Sequence, residues 1–113
     1  MNVNPLIEGL SEATGLDVSP DIYEGEHDKY IVYTYEDERP VNWGDGRVHH
    51  NTVWVNVSLY TPKHFNHMAL KHKIRDYLES NGFIVSDIRS FLETYANTYI
   101  RNTSFSVTYT EHR

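Results

Sequence analysis

The chain of 113 residues carries 16 acidic and 10 basic side chains, a formal charge of −6, with 39% hydrophobic and 13% aromatic residues. That length suits one domain with a real core, and that apolar content excludes the disordered class. The acidic balance opposes direct nucleic-acid binding, which needs clustered Lys and Arg, and the lack of cysteine excludes disulfides, thiolate metal sites and a cysteine nucleophile.

In chain order, Asn4-Pro5 opens a first helix, with asparagine as N-cap and proline at the first helical position. Leu6, Ile7, Leu10 and Ala13 form its apolar side and Gly15 ends it. About three turns long, it depends on packing for stability. Asp17 to Tyr23 fits a short edge strand or an extended connection around Ser19-Pro20-Asp21. Lys29 to Glu36 is a clearer strand, with Ile31, Tyr33 and Tyr35 on one face.

Glu36-Asp37-Glu38-Arg39-Pro40 predicts the end of that strand. The turn-rich Val41-Asn42-Trp43-Gly44-Asp45-Gly46-Arg47 predicts a long loop, of a kind that often carries function. Trp43 there is either a local packing anchor or a partner contact.

Thr52 to Tyr60 has the most regular alternation in the chain. Val53, Val55, Val57 and Leu59 point one way, while Trp54, Asn56, Ser58 and Tyr60 point the other. Thr61-Pro62 stops it. Lys63 to Asn81 then reads as a long helix capped by Gly82, with Leu70, Ile74, Tyr77 and Leu78 on one stripe. Phe83 to Ile88 predicts a strand. Arg89 to Asn97 is open between a helical turn and an irregular crossover. Tyr99 to Thr110 is a final strand, with Phe105, Val107 and Tyr109 alternating against Ser104, Ser106 and Thr108.

These patterns predict a single α/β (α+β) domain over residues 1–113, in the order α-β-β-β-α-β-β. Its mainly antiparallel sheet of about four strands carries two α-helices on one face. No run approaches the roughly 18 apolar residues of a membrane helix, and no signal region opens the chain, so no membrane partner is expected.

Chemistry is hard to find. His64 and His67 are three apart on the expected helix, but His72 is out of phase and Glu79 too distant to complete a metal site. His49 and His50 point to opposite faces of a strand. Charge repulsion and solvation account for Glu36, Asp37 and Glu38. No HExxH, GxSxG, P-loop or GxGxxG pattern occurs. The expectation is no catalysis, no cofactor and no metal.

One feature exceeds a bland globular domain. Phe65, Met68 and Ala69 form a second apolar patch on the expected long helix, opposite the Leu70/Ile74 stripe. Trp54 and Tyr60 likewise face away from the Val53–Leu59 side. A single core cannot cover both faces of both elements, so part of this surface meets either the other helix or another subunit.

The layout resembles the small tail terminator, or tail completion, proteins of long-tailed phages and prophages. The resemblance rests on an ordered pattern. Tyr30-Ile31-Val32-Tyr33 precedes acidic residues and a polar loop. The strand Val53 to Tyr60 follows, then the Leu70…Ile74…Leu78…Gly82-Phe83 exit from helix to strand and the aromatic strand Tyr99 to Tyr109.

The resemblance implies a mainly antiparallel sheet carrying helices and a hexameric ring of this chain. The ring would sit on the tail tube protein, stop tail polymerisation and meet a head-tail connector protein. Its place would be the virion tail, assembled in the host cytoplasm. The expected subunit or tube interface is Trp43, Asp45, Arg47, Trp54, Tyr60, Phe65, Met68 and Ala69. Two other readings stay open: a head-completion or connector-adaptor protein or another minor tail component, and a small-ligand-binding α+β domain or enzyme.

Overall fold

The computed structural model describes residues 4–43, 47–95 and 98–112, with side chains described over 5–36, 52–94 and 98–110. Helical segments α1 (Asn4–Glu8) and α2 (Leu10–Thr14) precede strands β1 (Asp17–Pro20), β2 (Tyr30–Trp43) and β3 (Arg47–Pro62). Helix α3 (Met68–Ser80) and strands β4 (Ile84–Tyr95) and β5 (Thr98–His112) complete the fold. The five strands form one sheet in the order β1-β2-β3-β5-β4, antiparallel throughout except for the parallel β1–β2 pair. The α+β class and the helix-on-sheet layering match expectation. The fifth strand is Asp17–Pro20, where the sequence fits either an edge strand or an extended connection.

One buried cluster joins the layers. Ile7 and Leu10 from the N-terminal helices and Ile74 and Leu78 from α3 meet Ile31, Tyr33, Val53, Val55, Val57, Leu59, Phe83, Phe105 and Val107. The period-two set of β3 therefore faces the helices, as its alternation requires. Leu70 and Tyr77 are only partly buried, and Ala13, expected on the apolar side, is exposed. Gly82 takes φ +91 as α3 ends, where a side chain would be strained.

The expected single N-terminal helix is interrupted at Gly9, although backbone bonds from Gly9 to Pro5 and from Ala13 to Gly9 carry the winding through. A tertiary contact explains why residue 9 is glycine. The Tyr77 hydroxyl of α3 donates to the Leu6 carbonyl, and it occupies the space where a Cβ on residue 9 would lie.

Other boundaries moved as well. The expected end at Glu36–Pro40 does not occur: β2 passes through a bulge between Tyr35 and Asp37 and continues to Trp43, paired with β3 down to Trp43↔Arg47. Proline is tolerated at position 40 because β1 covers only Tyr30–Tyr33, leaving the outer side of β2 an edge there. Most of the expected 40–47 loop is thus ladder, and residues 44–46 lie outside the described region. The open segment 89–97 is strand as far as Tyr95, since β5 supplies a continuous partner.

The long helix begins at Met68 rather than Lys63. Lys63–His67 form a turn, closed by a bond from the Phe65 N–H to the Pro62 carbonyl, so His64 and His67 do not share a helix face. The 16 residues of β3, at about 3.3 Å each, account for the 55 Å long axis of the molecule. The β2–β3 hairpin reaches one end of that axis and the β4–β5 hairpin the other.

Candidate functional site

The sheet face away from the helices is where the strands place their second set of side chains. It is not apolar. Small polar groups knit it together: Asn56 Nδ2 donates to Ser104 Oγ at 2.6 Å, Ser58 Oγ to Asn56 Oδ1 at 2.8 Å, and the Thr52 and Thr110 hydroxyls meet at 3.1 Å. Two of these bonds cross between β3 and β5 and one runs along β3, and together they satisfy a face that no helix covers among the described residues.

At the end of the sheet where β2 begins and β3 ends, this polar seam gives way to aromatic rings. Tyr23, Tyr30 and Tyr60 stack in a row, with centroids 4.1 Å apart for Tyr23–Tyr30 and 5.0 Å for Tyr30–Tyr60. Pairing Tyr30 directly opposite Tyr60 in the β2–β3 ladder puts two rings in contact. Tyr23 reaches them from the segment after β1. It is pinned there by its hydroxyl, which donates to Asp17 Oδ2 at 2.8 Å and accepts from the His27 N–H at 3.2 Å.

Beside the stack lies a hollow of about 310 Å³, lined by Asp21, Ile22, Tyr23, Tyr30, Val32, Tyr60, Glu93, Thr94 and Ile100. Beneath it Asn102, 6% exposed, donates through Nδ2 to Glu93 Oε1 at 3.2 Å and to the Tyr60 hydroxyl at 3.3 Å. Burial pushes the Tyr60 phenol above its ordinary value. The Glu93 charge adds to the rise, and a hydrogen bond with Ser58 partly opposes it.

The expected interface residues scatter over the molecule. Trp43 and Arg47 are register partners at the last described rung of the β2–β3 ladder, and Asp45 lies outside the described residues. Trp54 and Tyr60 share the outer sheet face, half-buried, yet six residues of strand hold them about 20 Å apart. Phe65, Met68 and Ala69 are not one helix patch. Phe65 sits half-buried in the turn with the Lys29 ammonium 4.8 Å from its ring centroid, whereas Met68, 44% exposed, and Ala69 start α3. The His67 imidazole beside them is held below its ordinary value by burial, then by the Arg101 and Lys71 charges.

Of the expected set, Tyr60 enters a formed hollow. Its partners were not singled out from sequence. Tyr30 shares the phase of an ordinary strand residue, while Tyr23 and Glu93 come from segments with no legible periodicity. Further exposed apolar groups lie on β4 and at the β4–β5 hairpin: Ile84, Phe91, Leu92 and Tyr99. Among the described residues no three His, Cys, Asp or Glu side chains converge as metal ligands, and no helix is long and apolar enough to cross a membrane. No protein-family model matches this chain, and no curated protein matches its sequence.

Proposed function

We propose that this chain is a structural protein of a long-tailed phage or prophage particle, one that caps the tail tube as a ring of identical copies and offers the surface for head joining. The carrying observation is the pair of open sheet edges on opposite sides of the molecule. Among the described residues strand β4 has no neighbour beyond it, and it exposes Ile84, Phe91 and Leu92. On the far side, no described strand covers β2 beyond Tyr33, where β1 stops.

An open edge with apolar side chains, as on β4, is a template for another chain, whereas the uncovered stretch of β2 is the acidic, proline-containing Glu36–Pro40 segment. Two different edges on one molecule support head-to-tail contact, which closes into a ring when the rotation per copy is fixed. Met68 and Ala69 on α3 and Trp54 and Tyr60 on the outer sheet face also lie on opposite sides of the two layers, which suits the same kind of contact. The ordered strand-helix-strand pattern that resembles tail terminators supports the specific role, and no catalytic step belongs to it.

Complementation tests this reading. Particles assembled without the protein are expected to have tails of irregular length or tails that fail to join heads. Uniform tails that join heads normally would overturn it. Met68→Asp is expected to keep the fold, since an acidic residue suits the first turn of a helix, while weakening assembly.

A further inference from the structure

We infer that the open edge of β4 pairs with the same edge of a second copy, antiparallel about a two-fold axis through Ile88. The inference goes beyond the tail-capping role. It concerns free chains before assembly, in which a two-fold dimer covers this edge until a ring neighbour takes it.

Four side chains of β4 stand on the outer sheet face, each beside a β5 partner of that face: Ile84 with Thr108, Asp87 with Ser106, Arg89 with Ser104 and Phe91 with Asn102. Val85 and Ile88 lie on the other face, packed against the core. A bulge keeps this division. Ser86 is the extra residue between Val85 and Asp87, and its hydroxyl donates inward to the Ser106 carbonyl at 3.0 Å. Along its outer face β4 therefore reads apolar, acidic, basic, apolar. Centred on Ile88, that order is its own complement.

A second copy turned about Ile88 puts Arg89 opposite Asp87 twice and Ile88 opposite itself. With the bulge carried into the new ladder, Val85 meets Ser90 and Ile84 meets Phe91, each with its partner on the same face. Ile84 is 67% exposed and Phe91 43%. The pairing thus covers apolar groups that the free edge leaves in water.

The charges select this register. Arg89 Nε donates to Asp87 Oδ2 of its own strand at 2.7 Å. Both terminal guanidinium nitrogens and Asp87 Oδ1 are left without partners among the described residues. The two-fold copy offers each of them its complement, in charge-assisted bonds. Sliding the antiparallel strands by two residues sets Asp87 opposite Asp87 in one direction and Arg89 opposite Arg89 in the other. Parallel, in-register pairing does both. Charged edge residues ordinarily keep edges apart. Here they repel in the alternative registers and attract in one.

The paired stretch, Ile84 to Phe91, spans about 27 Å of extended chain. A single edge of that length is small beside the roughly 800 Å² per partner of a standard interface, so the dimer is reversible.

Sedimentation equilibrium of the full chain, from micromolar to submillimolar concentration, tests the pairing. The natural chain is expected to pass from monomer to dimer within that range. Arg89→Asp and Asp87→Arg, both at exposed positions, are each expected to weaken the dimer at least about tenfold. An equimolar mixture of the two variants restores it, because an all-acidic edge then meets an all-basic one. The chain has no cysteine, so Ile84→Cys mixed with Phe91→Cys reports the register. Oxidation is expected to yield the mixed disulfide above its statistical share. A monomer throughout, a hexamer without a dimer, indifference to the charge reversals, a mixture no more associated than its components, or mixed disulfide at or below the statistical share would each overturn the inference. The tail-capping reading is decided separately, by complementation.

Discussion

The contact between Tyr77 and Gly9 makes a test in which one substitution changes its effect with background. Gly9 has helical angles, φ −61 and ψ −15, so on backbone grounds alone alanine there gains about 0.5–1 kcal/mol. The structure reverses that sign. A Cβ at residue 9 would overlap the Tyr77 hydroxyl, which donates to the Leu6 carbonyl. Displacing it loses a hydrogen bond worth about 1 kcal/mol and forces α3 to repack against α1 and α2, a strain of about 1–3 kcal/mol.

Gly9→Ala is therefore expected to destabilise by about 1–3 kcal/mol after the propensity gain is subtracted. Tyr77→Phe alone costs about 1 kcal/mol. With the hydroxyl gone, the nearest ring atom stands 3.1 Å from the new Cβ, a tight contact that a shift of a few tenths of an ångström relieves. Gly9→Ala in the Tyr77→Phe background is then nearly neutral, a coupling of about 1–3 kcal/mol. Urea denaturation of the four proteins measures it. The same cost for Gly9→Ala in both backgrounds would refute the packing argument.

Leu78→Ala, at a fully buried site, is expected to cost about 3–5 kcal/mol, whereas Leu70→Ala, partly buried, costs about 1–2 kcal/mol; equal urea midpoint shifts would contradict the burial difference. Thr61→Val is expected to stabilise by about 1 kcal/mol, because the buried Thr61 hydroxyl has no partner among the described residues; a lower midpoint would show that the hydroxyl is satisfied. Burial, aided by a 2.8 Å bond to Glu8 and by that carboxylate's charge, raises the Tyr33 phenol well above its ordinary value of 10.0. A raised folded value stabilises fully below pH 10 and is withdrawn as pH climbs toward it, by about 1.4 kcal/mol per pH unit. Stability should fall from about pH 10 upward, and Tyr33→Phe should remove that share of the decline.

Sequence determined whatever depends on neighbours in the chain. The alternation Val53, Val55, Val57, Leu59 against Trp54, Asn56, Ser58, Tyr60 is a property of any extended backbone, and the first four are buried as it demands. The Leu70–Leu78 stripe and the Gly82 stop follow equally from helix geometry, so the class and layering of the fold were legible. Tertiary structure decided what depends on distant partners. Pro40 lies within a strand because the far side of β2 has no neighbour there among the described residues, and 89–95 is strand because β5 lies beside it. Residue 9 has room only for glycine because Tyr77, 68 residues later in the sequence, fills the space a Cβ would take. The tyrosine hollow belongs to this second kind. Tyr23, Tyr30, Tyr60 and Glu93 come from four separate segments, and only the sheet order brings them around one space.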